Sequence, residues 1–166
     1  MPLAFLLTLA GFFFQSALAD VPASAPPARV LQRVLDLVNQ ARAQGQRCGL
    51  EQVPPADRLL PSKALQSAAT AHARDMARHA YFEHRGRDGS EPKDRVRRAG
   101  YRPRLTGENI AFGPESAEEV VAGWLSSPGH CANLMDARFR EMGVAVAQGA
   151  RRGHSYWVQD LGEPMR

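Results

Sequence analysis

Three side chains that lie next to turn-forming residues are the best candidates for chemistry in this sequence. His84 directly precedes a glycine-containing turn, His130 follows a Pro-Gly pair, and Glu108 lies between Gly107 and Asn109 in an otherwise apolar segment. Two imidazoles and one carboxylate can bind a divalent metal such as zinc and leave one coordination position open for water or a substrate. The same three groups could equally form a hydrogen-bonded cleft without a metal, and their spacing does not separate the two interpretations.

Two serines beside His130 raise the alternative of a serine nucleophile. Ser126 and Ser127 precede His130 closely, but proximity in sequence is not triad geometry, and no orienting acid other than Glu108 is evident. Serine hydrolysis is therefore disfavoured.

His72 falls on the apolar side of a predicted helix, where a histidine is more often a hydrogen-bonded core residue than a ligand.

The only two cysteines, Cys48 and Cys131, allow a single pairing. In an exported protein they would meet an oxidising compartment, where a structural disulfide is favoured over a reactive thiol. Closing a loop of this length would stabilise the fold by roughly 4.5 kcal/mol in the chain-entropy model.

Apolar periodicity predicts two long helices, over residues 29–44 and from Ser62 to about His79. The intervening segment up to Pro61 is rich in proline and is predicted to be a loop that carries Cys48. Ser90 is expected to cap a short helix, and Ser116 with Glu119 forms a capping box for another. A last helical turn is expected from His130 to Met135.

The end of the chain has the pattern of strands. Residues 142–147 and 155–162 are strand-like on either side of a glycine-containing turn, which is typical of a hairpin, and residues 105–112 form a candidate third strand. Helices in the first two thirds followed by strands favour an α+β fold.

The N-terminus has the features of an export signal. Residues 1–19 carry no charged side chain and end in Ala17-Leu18-Ala19, the small-x-small pattern that precedes signal-peptide cleavage. The apolar run is short for a membrane span, so a retained anchor helix is the lesser alternative. The predicted organisation is a signal peptide over residues 1–19, a Pro/Ala-rich tether over 20–28 and one domain over 29–163, with the mature protein periplasmic or secreted and without a stable membrane span.

The basic balance of the chain, a formal net charge of +4, does not indicate a nucleic-acid protein. Its arginines are scattered, and no stripe of basic residues interleaved with aromatics is present. Solvated basic faces are the simplest interpretation, and attraction to an anionic envelope or polymer surface is the alternative.

An ordered set of short motifs resembles bacterial members of the CAP superfamily, which are relatives of cysteine-rich secretory proteins, venom antigens and plant pathogenesis-related proteins. The matching segments extend over about residues 30–162 and are AHARDMA (71–77), YFEH (81–84), DGS (88–90), AGY (99–101), GENIA (107–111), WLSSPGH (124–130) and YWVQ (156–159). The resemblance implies an α-β-α sandwich, with a central antiparallel sheet of three or four strands flanked by helices and a large cleft over the sheet.

The resemblance also implies roles for individual residues. The family's cleft holds two histidines and two glutamates, which in some members bind zinc or another divalent ion, and His84, Glu108 and His130 match three of them. The second glutamate usually lies three residues after the tryptophan matched by Trp124, and Ser127 occupies that position here. Because serine is a poor zinc ligand, only a tentative three-ligand metal site remains.

Three functions are consistent with these residues. The first is a cleft-based binding module, whose ligand could be a lipid or sterol, as reported within the family, a peptide, or an envelope component. The second is a metal-assisted hydrolase in which His84 and His130 hold a cation and Glu108 acts as third ligand or general base. The third is a structural envelope protein with no occupied cleft. The residues favour the first and leave enzymatic activity open.

Overall fold

The elements of the fold follow the order expected from the sequence, helices first and the long strands last. A computed structural model describes residues 28–151 and 154–165 of the 166-residue chain. Its helices are α1 (Ala28–Gln44), α2 (Lys63–His79), α3 (Pro92–Arg98), α4 (Ala117–Ser126) and α5 (Pro128–Met135). Its strands are β1 (Gln46–Cys48), β2 (Glu51–Val53), β3 (Leu60–Pro61), β4 (Pro103–Phe112), β5 (Glu141–Gln148) and β6 (Ser155–Pro164).

The main sheet has four strands in the order β3-β5-β6-β4. The three long strands are antiparallel neighbours, and Glu108 on β4 lies opposite Asp160 on β6. The two-residue strand β3 joins the edge of β5 in parallel. The predicted α+β fold, an α-β-α sandwich on an antiparallel sheet, is confirmed, and the short parallel edge strand is an addition to it.

One face of the sheet is covered by α1, α4 and α5 and carries the main apolar core. Alternation along β5 and β6 turns Val144, Val146 and Trp157 toward this layer, where they meet Trp124 of α4 and the apolar stripe of α1. Both tryptophans are almost completely buried. Since each large apolar side chain contributes about 1.5–3 kcal/mol when buried, this layer supplies much of the stability of the domain.

The opposite face of the sheet is covered by α2 and α3. The small residues Ala69 and Ala73 let α2 approach the strands, and at Gly143 the approach leaves no space for a side chain. A Cβ at that position would lie 2.0 Å from the backbone nitrogen of Gln66. This close contact fixes the height of α2 above the strands that carry Glu108 and Asp160.

The segment between α1 and α2 is more ordered than predicted. Instead of a plain loop, it contains the β1-β2 hairpin, in which Gln46 lies opposite Val53, and the edge strand β3. Cys48 at the end of β1 forms a disulfide with Cys131 of α5, with Cα atoms 5.4 Å apart. The predicted disulfide is confirmed, and it ties the hairpin to the helix that carries His130.

Two helix starts differ from the sequence prediction. Glu91, not Ser90, caps α3, because Glu91 and Asp94 form a reciprocal capping box. Helix α5 begins at Pro128 rather than His130, since proline is well suited to the first turn of a helix. The cap at Ser116 is as predicted, with its hydroxyl accepting a hydrogen bond from the Glu119 backbone N–H at 3.1 Å.

The predicted signal peptide (1–19) and nearly all of the predicted tether (20–28) lie outside the described residues, since Ala28 is already the first residue of α1. Within the described ranges, no helix combines the length and the apolar character that crossing a bilayer requires.

Candidate functional site

The centre of the site is a hydrogen-bonded pair formed by His84 and Glu108. Nδ1 of His84 lies 2.7 Å from Oε1 of Glu108, although the two residues are 24 positions apart. The Glu108 side chain is only 2% exposed, whereas that of His84 is 51% exposed. A buried carboxylate on the edge strand β4 therefore holds a histidine that is about half exposed to solvent.

The second partner of this carboxylate is Arg95, which sequence reasoning did not single out. Nη2 of Arg95 donates to Oε2 of Glu108 at 2.6 Å, and Nη1 donates to the Ser90 carbonyl oxygen at 3.0 Å. Both partners of this ion pair are buried. Arg95 is one of several arginines in a basic stretch of α3, and a seven-residue helix is too short for periodicity to show which of them faces inward.

Amide side chains anchor the helix that carries His130 next to Glu108. Asn133 of α5 donates to the Glu108 carbonyl oxygen at 3.3 Å and to the Asn109 side-chain oxygen at 2.9 Å. Asn109 in turn donates to the His130 carbonyl oxygen at 3.3 Å. These contacts, with the Cys48–Cys131 disulfide beside them, fix the first turn of α5 against β4.

The predicted cleft residues are not equivalent in the structure. His84 and Glu108 are in direct contact, whereas His130 is linked to this strand through its carbonyl oxygen, which accepts a hydrogen bond from Asn109. Ser127 is the N-cap residue of α5, and its hydroxyl makes no hydrogen bond with the other three residues in the part of the chain that the structure describes. A role of Ser127 in the cleft thus stays a prediction.

Two further titratable groups lie beneath the pair, on the α2 side of the sheet. His72 is buried, as interpreted from its position, and its Nε2 lies 2.9 Å from the Glu83 carbonyl oxygen. Asp160 is 1% exposed, and neither of its carboxyl oxygens has a hydrogen-bond partner among the described residues. An acidic residue in an apolar strand is the signal that could have found Asp160, but its position opposite Glu108 follows only from the strand register.

The pKa values of the titratable groups in this cluster are shifted in different directions by their surroundings. The hydrogen bond to Glu108 raises the pKa of His84, so its charged form is favoured. Burial, and secondly the charge on His84, lowers the pKa of His130. Burial, and secondly the charge on Glu108, raises the pKa of Asp160 well above its usual range and favours its neutral form. The charged form is thus more favoured in His84 than in His130, and the neutral form is favoured in the buried carboxyl of Asp160.

The residues present do not fit the zinc site predicted with His84, His130 and Glu108 as ligands. Both oxygens of Glu108 already accept short hydrogen bonds, from His84 and from Arg95. Across residues 28–151 and 154–165, no three His, Cys, Asp or Glu side chains form a group suited to holding a metal ion. The guanidinium of Arg95 supplies the positive charge that a metal ion would bring to Glu108.

Comparison with known proteins shows which family this chain belongs to. The uncharacterised protein YkwD of Bacillus subtilis is 31% identical over 130 residues, which are 78% of this chain but only 46% of that protein. The solved structure of an extracellular protein containing an SCP domain from Bacillus anthracis superposes with a TM-score of 0.65 at 26% identity, covering 82% of this chain and 41% of that one. The chain thus spans less than half the length of these two relatives.

A third relative is close to this chain in size. An outer surface protein of Borrelia burgdorferi has a TM-score of 0.65 and 19% identity, covering 83% of this chain and 92% of that one, which shows a shared fold. Residues 35–161 match the model of the cysteine-rich secretory protein family, CAP. This chain therefore belongs to the cysteine-rich secretory protein (CAP) family.

Proposed function

We propose that this protein is an exported binding module, whose cleft at His84, Glu108 and His130 holds a ligand through hydrogen bonds. The observation that carries the proposal is the engagement of both oxygens of Glu108. Each of them accepts a charge-assisted hydrogen bond, so taking a proton from a substrate would have to compete with these bonds. Such a group orients its neighbours well, and it is a poor general base.

The two imidazoles supply complementary polar contacts for a ligand. His84, with its raised pKa, is a hydrogen-bond donor, while a neutral His130 offers one donor and one acceptor nitrogen. Because hydrogen bonds to groups of fixed orientation give specificity, this pair suits the polar end of an otherwise apolar molecule.

Exposed aromatic residues nearby support an apolar part in that ligand. Phe82 and Phe112 are 44% and 43% exposed, and their ring centroids are 6.0 Å apart. Phe112 also packs against Tyr156 at 4.8 Å. Phe82 lies two residues before His84, and Phe112 lies on the same strand as Glu108, so this surface continues from the polar cluster. The ligand class we propose is a small amphiphile or an envelope component of that character.

Export is supported by two independent features. The Cys48–Cys131 disulfide is favoured in an oxidising compartment, and relatives of the same fold are described as extracellular or as outer surface proteins. The intact mass of the mature protein tests this part of the proposal. It should correspond to cleavage after Ala19 and to two oxidised cysteines, and a mass that retains residues 1–19 would contradict it.

Recovery of a bound ligand tests the binding function. The protein would be purified from the envelope of its own host, beside a His130→Leu variant, and organic extracts of both would be compared by mass spectrometry. One compound class should be enriched with the wild type and depleted about tenfold or more in the variant, which corresponds to at least about 1.4 kcal/mol of binding free energy. Equal recovery from both proteins would contradict a cleft ligand.

The hydrolase alternative has a separate readout. Peptide and ester substrates would be incubated with the purified, tag-free protein, with and without chelator. The binding module should show no chelator-sensitive turnover above that of a His84→Ala variant. Turnover that requires a metal and is lost in His84→Ala would replace the proposed function with the metal-assisted hydrolase.

A further inference from the structure

The positive charge of this protein is concentrated in one layer of the fold. Residues 63–102, which form α2, α3 and the segments next to them, contain ten Lys and Arg and five Asp and Glu, a net charge of +5. The full chain, with 21 Lys and Arg against 17 Asp and Glu, has a net charge of only +4. The rest of the chain is therefore nearly balanced, and the α2 and α3 layer is the side that attracts an anionic partner.

The outer side of α2 carries a row of polar residues that faces away from the core. This basic row follows the helical spacing opposite the buried side of α2 and consists of Lys63, Ser67, Thr70, Arg74 and Arg78. It contains no acidic residue and no large apolar side chain. At a rise of about 1.5 Å per residue, Lys63 and Arg74 are about 17 Å apart along the helix, and Arg78 lies about 6 Å further on.

The three cations of the basic row are available to a partner. Within the described ranges, none of them forms an ion pair. Asp75, the only acidic residue of α2, pairs with His79 at 2.9 Å instead. Arg74 and Arg78 are four residues apart, and like charges at this spacing slightly disfavour a helix. The stability of α2 therefore does not explain why both positions carry arginine.

A shallow depression lies along the basic row. It has a volume of about 500 Å³ and extends from Lys63 to Arg74, with the small side chains of Ser67, Thr70 and Ala71 between them. It adjoins a cavity between α2 and α3, with which it shares Ser67 and Ala71. A planar surface would touch only the tips of the long cationic side chains. An extended polymer can lie between them and reach the two hydroxyl groups.

We propose that the basic row docks a chain of an acidic polysaccharide. Carboxylate groups of this chain pair with Lys63, Arg74 and Arg78, and its hydroxyl groups form hydrogen bonds with Ser67 and Thr70. Nucleic acid fits less well, because the row has no aromatic side chain on which bases could stack. A bilayer also fits less well, because the row has no apolar side chain to insert below the headgroups. The row shares no residue with the proposed cleft, and this inference does not depend on the cleft function.

Calorimetric titration of the mature, disulfide-bonded protein tests the docking surface. Oligogalacturonate is the acidic probe, and an uncharged maltooligosaccharide of equal length is the control. Oligogalacturonate should bind saturably, and its affinity should fall by about tenfold or more between about 50 and 200 mM salt, because binding releases counterions. The maltooligosaccharide should not bind. Absence of saturable binding of oligogalacturonate, equal binding of both probes, or an affinity that is independent of salt would overturn the proposal.

A matched pair of charge-reversal variants separates the basic row from the net charge. Lys63→Glu, Arg74→Glu changes two cations of the row, and Arg29→Glu, Arg33→Glu changes two exposed arginines of α1 on the other side of the sheet. Both double variants lower the net charge by the same amount. The first should weaken binding of oligogalacturonate by about tenfold or more, and the second by less than about twofold. Equal weakening would show that net charge, and not this surface, attracts the polysaccharide.

A substitution without charge tests the shape of the surface. Ser67→Phe fills the depression and should weaken binding of oligogalacturonate by about fivefold or more, whereas Ala122→Phe, on an exposed position of α4, should leave it unchanged. Circular dichroism and the melting temperature confirm that the variants fold. Equal affinity in Ser67→Phe and the wild type would place the chain elsewhere and overturn the proposal.

Two further measurements distinguish this surface from its alternatives. Vesicles of phosphatidylglycerol and phosphatidylcholine are the probe for a bilayer. Tighter binding of the wild type to these vesicles than to oligogalacturonate, at equal concentration of anionic groups, would identify a bilayer as the partner and overturn the proposal. The cleft variant His130→Leu should retain binding of oligogalacturonate, so failure of this proposal and failure of the cleft function can be told apart.

Discussion

Two arginines are buried among the described residues, one on each side of the sheet, and they are held in opposite ways. Arg42 of α1 is completely buried and donates to backbone carbonyl oxygens, to those of Asp57 and Leu134 at 2.7 Å each and to that of Asp136 at 3.1 Å. Arg95 of α3 is bound instead to a buried carboxylate, and its Nε has no partner among the described residues. The first arginine joins chain segments, and the second sets the charge of a site.

The surroundings of the two arginines also differ in how completely their buried polar atoms are hydrogen-bonded. Among the described residues, the buried side-chain polar atoms that lack partners belong to Arg95, Tyr101 and Asp160, and all three lie on the α2 and α3 side of the sheet. Unsatisfied buried groups lower stability, and they persist where function uses them. The α1, α4 and α5 layer, with the main apolar core and the satisfied Arg42, therefore stabilises the fold, while the buried groups without partners lie on the α2 and α3 side.

Arg42→Ala tests the stabilising side and should have the largest effect. The substitution leaves several buried carbonyl oxygens without a donor, and a carbonyl cannot relieve this by taking up a proton. We expect a loss of about 4 kcal/mol in the free energy of unfolding, measured by urea denaturation. Arg104→Ala is the control, since its side chain is 75% exposed and its ion pair with Glu163 is long, and it should change stability by less than about 0.5 kcal/mol. Similar losses of stability in both variants would show that the buried hydrogen bonds of Arg42 do not stabilise the fold more than the exposed Arg104 does.

Arg95→Met should destabilise the domain less, by about 3 kcal/mol, because the stranded Glu108 can be protonated. The loss should accordingly be smaller at acidic pH than at neutral pH. Urea denaturation of Arg95→Met and of the double variant Arg95→Met, Glu108→Leu checks this, with the double variant recovering part of the stability. If the double variant is as unstable as the sum of the single variants, Arg95 and Glu108 do not act as a pair.

Asp160→Asn should stabilise the protein slightly, by about 1 kcal/mol at neutral pH. Because burial raises the pKa of Asp160 above its unfolded value, the unfolded chain loses this proton first, and the wild type loses stability as pH rises above about 4. Asparagine has no such proton. The stability gap in favour of the variant should therefore grow between about pH 4 and neutral pH in thermal unfolding. A constant gap would show that Asp160 is ionised in the folded protein.

His84→Gln should have the smallest effect and the opposite dependence on pH. The pKa of His84 is raised by Glu108, so its contribution is complete below the unfolded pKa of about 6.5 and is lost as pH rises through the raised value. The wild type should exceed the variant in melting temperature at about pH 5, and the difference should shrink at about pH 8. A difference that grows with pH would contradict the ion pair.

Much of the site could be predicted from short motifs, and the remainder could not for definite reasons. His84 and Glu108, which the motifs single out, are in direct contact in the structure, and the roles of these residues and of His130 in a cleft stay predictions. Arg95 was not predicted, because one arginine among several in α3 becomes special only when a carboxylate lies opposite it. The poor fit of Glu108 to a zinc site could not be foreseen either, since no local pattern around Glu108 indicates that both of its oxygens accept hydrogen bonds.

Local sequence by itself determined the helices and the three long strands of this protein, but not the short strands β1, β2 and β3. The apolar periodicity of α1 and α2, the cap at Ser116 and the alternation in the last two strands depend on neighbouring residues, so they can be recognised without the fold. The parity of two cysteines likewise left a single disulfide. Tertiary structure decided which arginine is buried against a carboxylate, which acid faces Glu108 across the strands, and where a cavity remains between helices. Those outcomes depend on strand register and on the height of α2 over Gly143, which are contacts between residues far apart in the chain.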